Sequence, residues 1–182
     1  VRATTKLQAN YERSNQVVPG VPSSAPTSWL GSHDPEARMH RRLVEAMKAL
    51  RANQSFDQDG GLLDLRVELE QQAVAIDAEL VATAALPLAL RQEPLQTLAG
   101  AVETIEHAVA GLATTSAAEV GERLQRVLED LRFRTSTVAQ ARAALDEIDA
   151  ASGDVDQEGQ TQPPPATDPG STPGPMPGSS PS

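Results

Sequence analysis

Between Pro94 and Ala150 apolar residues recur at steps of three and four with few interruptions. Leu95, Leu98, Val102, Ile105, Val109 and Leu112 make a first run, and Val120, Leu124, Val127, Leu131, Val138, Ala141, Leu145 and Ile148 a second. That spacing draws one apolar edge along a helix and is incompatible with the two-residue period of a strand. It predicts helices that meet along coiled-coil-like seams. The break at Ala113, Thr114 and Thr115 is short enough to turn the second run back on the first. The expected fold is all-α, an antiparallel three- to four-helix bundle.

The rest of the chain fits that core. Only four of the 182 residues are aromatic, so Leu, Val, Ile and Ala must fill the interior. Cysteine is absent, which rules out disulfides and thiolate metal sites. The net charge of -10 is uneven: residues 1–55 carry eight basic and four acidic groups, and residues 56–182 carry seven basic and 21 acidic groups. An acidic bundle behind a mildly basic head lacks the basic stripe of a nucleic-acid-binding protein, so no nucleic-acid partner is expected. The longest uncharged apolar run, Leu80 to Leu90, is about half of what a bilayer requires and is interrupted by Pro87.

Taken in order, residues 1–33 are expected to be a polar terminus followed by a proline-containing strap. Pro19, Pro22 and Pro26 forbid a helix there, and Gly20 and Gly31 mark turns. Val17, Val18, Val21, Trp29 and Leu30 are too apolar for a solvated linker, so Trp29 is expected either to dock on the bundle or to meet a partner. The helical bundle is expected over 34–150. Its first helix starts with Asp34 as cap and Pro35 in the first turn, and runs to about Asn53. The second, from about Leu62 to Leu90, carries one stripe through Leu62, Leu65, Leu69, Ala73, Ile76 and Leu80. A second stripe runs through Leu63, Val67, Val74, Ala78, Val81 and Ala85, as in a helix wedged between two neighbours. Pro87 should kink or end it. The third helix is expected to restart at Pro94 with Glu93 as cap, and the fourth at Ser116, where Glu119 completes a capping box. The fourth outlasts the others, so its end is expected to project. From 151 to 182 the composition turns to Pro, Gly and Ser and predicts a disordered tail.

No pattern for chemistry emerges, and no catalytic, cofactor-binding or metal-ligating residue is assigned. Asp57 and Asp59 resemble the start of a calcium loop, but the glutamate at its twelfth position is missing. His33, Glu36 and His40 are spaced to share a helical face, yet no third strong ligand accompanies the two histidines. No paired nucleophile and base, phosphate loop or di-iron carboxylate pattern appears. One residue breaks the stripe of the last helix. Arg134 falls at a core position beside Phe133, and three readings stay open: a snorkelling side chain, a register-fixing pair with Glu79 or Glu70, or an anion or partner site. Trp29, Phe133 and Arg134 are the candidate partner contacts.

The run VVPGVPSSAPTSWLGSHDPEARMHRRLVEAMKALR resembles a segment of actinobacterial membrane-tethered proteins of unknown function, in which it follows a hydrophobic span. The resemblance covers residues 10–52. It implies a membrane tether upstream of Val1 and a helical domain on the cytoplasmic side, in keeping with Arg2, Lys6 and Arg13 as flanking charges. The function expected is a non-enzymatic helical scaffold or protein-interaction domain, acting on a protein partner or by self-association. The alternative is a ligand-binding or sensory bundle with a polar site near Arg134.

Overall fold

The computed structural model describes Arg13, residues 15–112 and residues 117–155. Two compact units divide the chain, Val1–Leu145 and Asp146–Ser182. Among the described residues four long helices occur: α1 Pro35–Ala52, α2 Gly60–Ala85, α3 Leu88–Gly111 and α4 Ala117–Val155. Short 3-10 turns lie at Thr27–Trp29 and Gln54–Asp57, and no strand occurs among the described residues. The first unit is thus an all-α bundle. Residues 1–12 and 156–182, and Ser116 with its expected capping box, lie outside the described residues. The helix runs through Val155, five residues into the segment expected to be tail.

Side-chain pairs fix the helix directions. His40 meets Asp77 and Arg51 meets Glu70, so α2 runs back along α1. Arg132 meets Glu68 and Arg142 meets Glu79, which sets α4 parallel to α2. Arg42 meets Glu106, which with Pro35 and Gln92 around one cleft sets α3 parallel to α1. The order is up-down-up-down. Leu43, Met47, Leu50, Leu69, Ile76, Leu80, Leu98, Ile105, Leu124 and Leu131 form the centre of the core, all at 0% exposure. Burying each such side chain contributes roughly 1.5–3 kcal/mol.

The turn between α2 and α3 falls earlier than its spacing predicts. α2 ends at Ala85 because Leu86, held extended before a proline, cannot continue the helix. Pro87 becomes the cap of α3, and Pro94, expected in the first turn, sits inside the helix instead. Its missing N–H leaves the Leu90 carbonyl without its helical donor. The turn around Leu90 is exposed, so water can supply that bond. Glu93 is correspondingly inside the helix rather than its cap. At α1, Pro35 holds its first-turn place, but the Asp34 carboxylate accepts from Ser32 Oγ at 2.6 Å and caps nothing. Asp59 is the effective cap of α2, accepting from Gly61 N at 2.8 Å and Leu62 N at 3.2 Å. Phe56, in the connection before it, is 1% exposed.

The second apolar stripe of α2 is not wedged between helices. Val67 is 42% and Leu63 37% exposed, Ala78 and Ala85 are exposed, and only Val74 and Val81 are half-covered.

Arg134 is resolved by a glycine. A Cβ at Gly100 would stand 2.5 Å from Arg134 Nη1, and one at Gly111 would overlap Arg123 Nη1. Arg134 and Arg123 of α4 therefore lie on bare backbone of α3. The glycines are about three turns apart in α3 and the arginines about three turns apart in α4, as antiparallel helices require. Gly100 and Gly111 each cost about 1 kcal/mol of helix propensity against alanine, and the close approach of a guanidinium is what they permit. Arg134 Nε bonds Asp130 Oδ2 at 2.7 Å within its own helix, and the side chain is 35% exposed. The expected partners are taken by others, Glu79 by Arg142 and Glu70 by Arg51. Gly100→Ala should therefore gain little stability in the native background. In an Arg134→Ala background it should gain the full ~1 kcal/mol of helix propensity. Urea unfolding of the four members of this cycle measures the difference, and equal gains in both backgrounds would refute the arrangement.

Candidate protein-contact site along the strap

The strap is built from turn chemistry and anchored by apolar side chains. Val18, Pro19, Gly20 and Val21 close a turn through Val21 N to Val18 O at 3.0 Å, with Gly20 at φ +87°. Proline second and glycine third are what a type II turn demands. Gly31, at φ +73°, releases the chain into α1. Val17, Val18, Ala25 and Trp29 are all less than 10% exposed. Trp29 is therefore docked on the bundle, its ring centroid 5.7 Å from that of His40. Arg41 closes the strap's end, donating to Trp29 O at 3.1 Å and Ser32 O at 2.7 Å.

Beneath the strap lies a buried polar clasp. His40 Nδ1 stands 2.6 Å from Asp77 Oδ1, and His40 Nε2 stands 2.9 Å from Asn15 Oδ1. The other oxygen of Asp77 accepts from Ser23 Oγ at 2.7 Å, and Ser23 Oγ in turn accepts from Ala25 N at 3.1 Å. Two strap residues, one α1 residue and one α2 residue are thereby joined. The set contains a serine, a histidine and an aspartate, but their connections differ from those of a nucleophilic triad. Serine and histidine bind opposite oxygens of the same carboxylate, and the ring nitrogen that would take the serine proton faces Asn15. The clasp ties the strap down. It was missed in the sequence, where His40 and Asp77 read as one histidine among three and one acid among 25. The available signal was that both fall on apolar faces, where an ionisable group needs a partner.

The histidine and glutamate spacing noted for metal ligation dissolves in the same way. His40 is turned to Asp77, Glu36 is buried with Arg91 3.7 Å away, and His33 is exposed. His107 is exposed and its Nδ1 lies 2.9 Å from Glu103 O. Of the three candidate contact residues, Trp29 is 7% exposed and Phe133 72% exposed, with half-buried Arg134 next to it in the sequence. The structure does not gather them into one patch: Trp29 sits under the strap, while Phe133 and Arg134 are on α4.

What does gather is a pair of adjoining clefts, one where the strap meets α1 and α3 and one between α1 and α3 alone. One, of about 420 Å³, has Trp29, Glu36, Leu88 and Arg91 in its wall. The second, of about 480 Å³, is lined by Arg38 and Arg42 from α1 and by Gln92 and Gln96 from α3. They share Pro35, Gln92 and Leu95. Leu88 is 78% exposed at the mouth, and Leu30, next to Trp29 in the strap, is 73% exposed.

The cleft wall has one strong electrostatic tie. Arg42 holds Glu106 through two hydrogen bonds, that from Nε being 2.9 Å long. The bond from Arg42 keeps the Glu106 carboxyl below its usual range, with burial opposing and the charges of Arg42 and His107 assisting. The Arg42 guanidinium is raised by the same bond. A carboxylate depressed by folding contributes stability above its unfolded value and loses it as pH falls through the folded one. Native protein should therefore exceed Glu106→Gln in stability near neutral pH, and the two should converge as the pH drops below the carboxylate range. Unfolding midpoints across an acid series test this, and a constant gap would exclude it. For the clasp, Asp77→Ala leaves the His40 ring buried without its carboxylate and should cost about 3–5 kcal/mol. Fluorescence of Trp29, the single tryptophan, should show the strap loosening; unchanged emission and stability would refute the clasp.

No protein-family model, curated protein or solved structure matches this chain.

Proposed function

We propose that the protein is a non-enzymatic helical scaffold or protein-interaction domain, the helical part of a membrane-tethered protein. The observation that carries the interaction reading is the set of large apolar side chains held outward on ordered backbone. Leu88, Leu30 and Phe133 are each more than 70% exposed, and Leu88 lines the cleft beside the strap. Isolated exposed leucines are ordinary, but one held at a cleft is an anchor of the kind partner proteins bury. The tether rests on the resemblance of residues 10–52. Among the described residues no helix is long and apolar enough to cross a membrane.

The alternative, a sensory bundle with a polar site near Arg134, draws no support from that side chain. Its charge is met by Asp130 and its guanidinium rests on Gly100.

A photo-crosslinking amino acid placed in turn at Leu30, Leu88 and Phe133 tests the reading in cells that make the protein. Protein adducts should form there in clear excess over the exposed polar positions Lys48 and Glu103. Equal yields at apolar and polar positions would overturn the proposal.

A further inference from the structure

In an acidic molecule, α1 is set apart by its charge. It holds five arginine and lysine residues against two acids, one of them the buried Glu36, while α2, α3 and α4 each hold more acids than bases. Much of that charge is spent on partners. Arg42 pairs with Glu106, Lys48 with Glu45 and Arg51 with Glu70. Arg41 donates to the carbonyls of Trp29 and Ser32, which hold its place without cancelling its charge. Arg38, one turn earlier on the same face, is exposed and makes no side-chain hydrogen bond or ion pair among the described residues. It stands where two clefts meet, the one of about 480 Å³ against α3 and another of about 430 Å³ that it shares with Arg41, Arg42 and Glu106. Facing it from α3 in the first cleft are Gln92 and Gln96, one turn apart, exposed, and likewise without a side-chain partner among the described residues. Beside them the buried Met39 and the half-buried Leu95 and Ala99 make an apolar floor. A guanidinium and two carboxamides thus line one apolar-floored cleft with none of their hydrogen bonds made inside the protein.

Resting on the reading of the protein as an interaction domain, we propose that the cleft between α1 and α3 binds an acidic peptide segment of a partner protein, with a glutamate or aspartate carboxylate on Arg38. The planar guanidinium presents parallel N–H groups at the spacing of a carboxylate's two oxygens, the mode in which arginines take up acidic motifs. Gln92 and Gln96 suit the peptide groups beside that carboxylate, because a carboxamide, like a peptide, both donates and accepts. The phosphodiester of a lipid offers acceptors only, and a concave floor of Met39 and Leu95 fits the carbons of a side chain better than a flat bilayer surface. Within the cleft the neighbouring cation is already answered. Glu106 bonds Arg42 and Glu103 adds to its surroundings, so the charge left to meet a partner is that of Arg38. The acidity of the other helices sharpens the choice of place. An acidic segment is repelled at their surfaces and accepted at α1, so charge determines where it lands and in what register. Screening confines such forces to about 8 Å at physiological ionic strength, and the acids of distant helices therefore weigh little at Arg38.

Titration of the full chain with a short peptide of leucine and glutamate, followed by nuclear magnetic resonance, tests the proposal. Shifts should concentrate in the Arg38 Nε–H and in the side-chain amides of Gln92 and Gln96. The same peptide with glutamine in place of glutamate should leave them unmoved. Arg38→Glu should weaken binding about tenfold or more, the worth of a charge-assisted hydrogen bond, with helical circular dichroism unchanged. Lys48→Glu, which reverses another exposed charge on the same helix, should alter it less than about twofold. If the Arg38 reversal fails to fold, Arg38→Gln carries the same expectation of weakened binding. In cells, a photo-crosslinking residue at Gln96 should capture acidic segments, mapped by mass spectrometry, and should lose them in the Arg38→Glu background. Absent or scattered shifts, equal losses from the Arg38 and Lys48 reversals, or Arg38-dependent binding of phosphatidylserine vesicles in place of the peptide would each overturn the acidic-peptide site. If any of these comes with protein adducts still forming at Leu30, Leu88 and Phe133, this site falls and the broader interaction reading stands.

Discussion

The carboxylate of Asp77 sets the terms on which the N-terminal half of this bundle can pack. It is buried, and an unpaired charge there would cost several kcal/mol. Each oxygen must therefore find a donor from outside α2. One comes from His40 of α1 and the other from Ser23 of the strap. Those two bonds require α1 to lie at one rotation and height on α2, and they require the strap to cross at one place. Aliphatic packing alone is far less exacting, since leucine and valine surfaces tolerate small slips and rotations. The buried polar group thus contributes specificity where the apolar core contributes bulk free energy.

Direction is set differently at the other end of the bundle. Of the pairs of α4 with α2, Arg132–Glu68 is about half exposed on both sides and contributes little net stability, while Arg142–Glu79 is the more buried of the two. What holds α4 is the aliphatic row from Leu124 to Leu131, with Val138 beyond it. Two guanidiniums of α4 lie against α3 where glycine leaves no Cβ. From residue 139 to 145 no side chain of α4 is fully buried, so apolar burial along that helix ends at Val138 and the Arg142–Glu79 pair lies beyond it.

How much of this could be read in advance follows from what each feature depends on. The helices were legible because apolar periodicity is a local property of the chain, and α1 and the start of α2 fall close to their expected bounds. The α2–α3 turn was misplaced because two prolines competed for it. Pro87 forces the residue before it extended, whereas Pro94 is tolerated inside a helix whose preceding turn is exposed. Arg134 was visible as an irregularity, but its explanation lies 34 residues away in Gly100, and a glycine in a helix reads only as a cost until its neighbour is known. The clasp was least legible. His40, Asp77, Asn15 and Ser23 come from three elements, and nothing local marks which ionisable residue on an apolar face has found which partner.

The strap and the outward stripe of α2 belong to one arrangement. Asp77 sits on the flank of α2 between the core face and the stripe, and the strap it holds rises beside that stripe. Val21, carried by the strap, is then presented alongside Val67 and Val74 and not toward the core. The same buried bonds that complete the interior therefore position the strap along one edge of that stripe, while α4 lies along the other. A strap pinned only by Val17, Val18 and Trp29 would have apolar contact but no fixed height along α2. The clasp is consequently the point at which the packing of the interior determines the shape of the outer face.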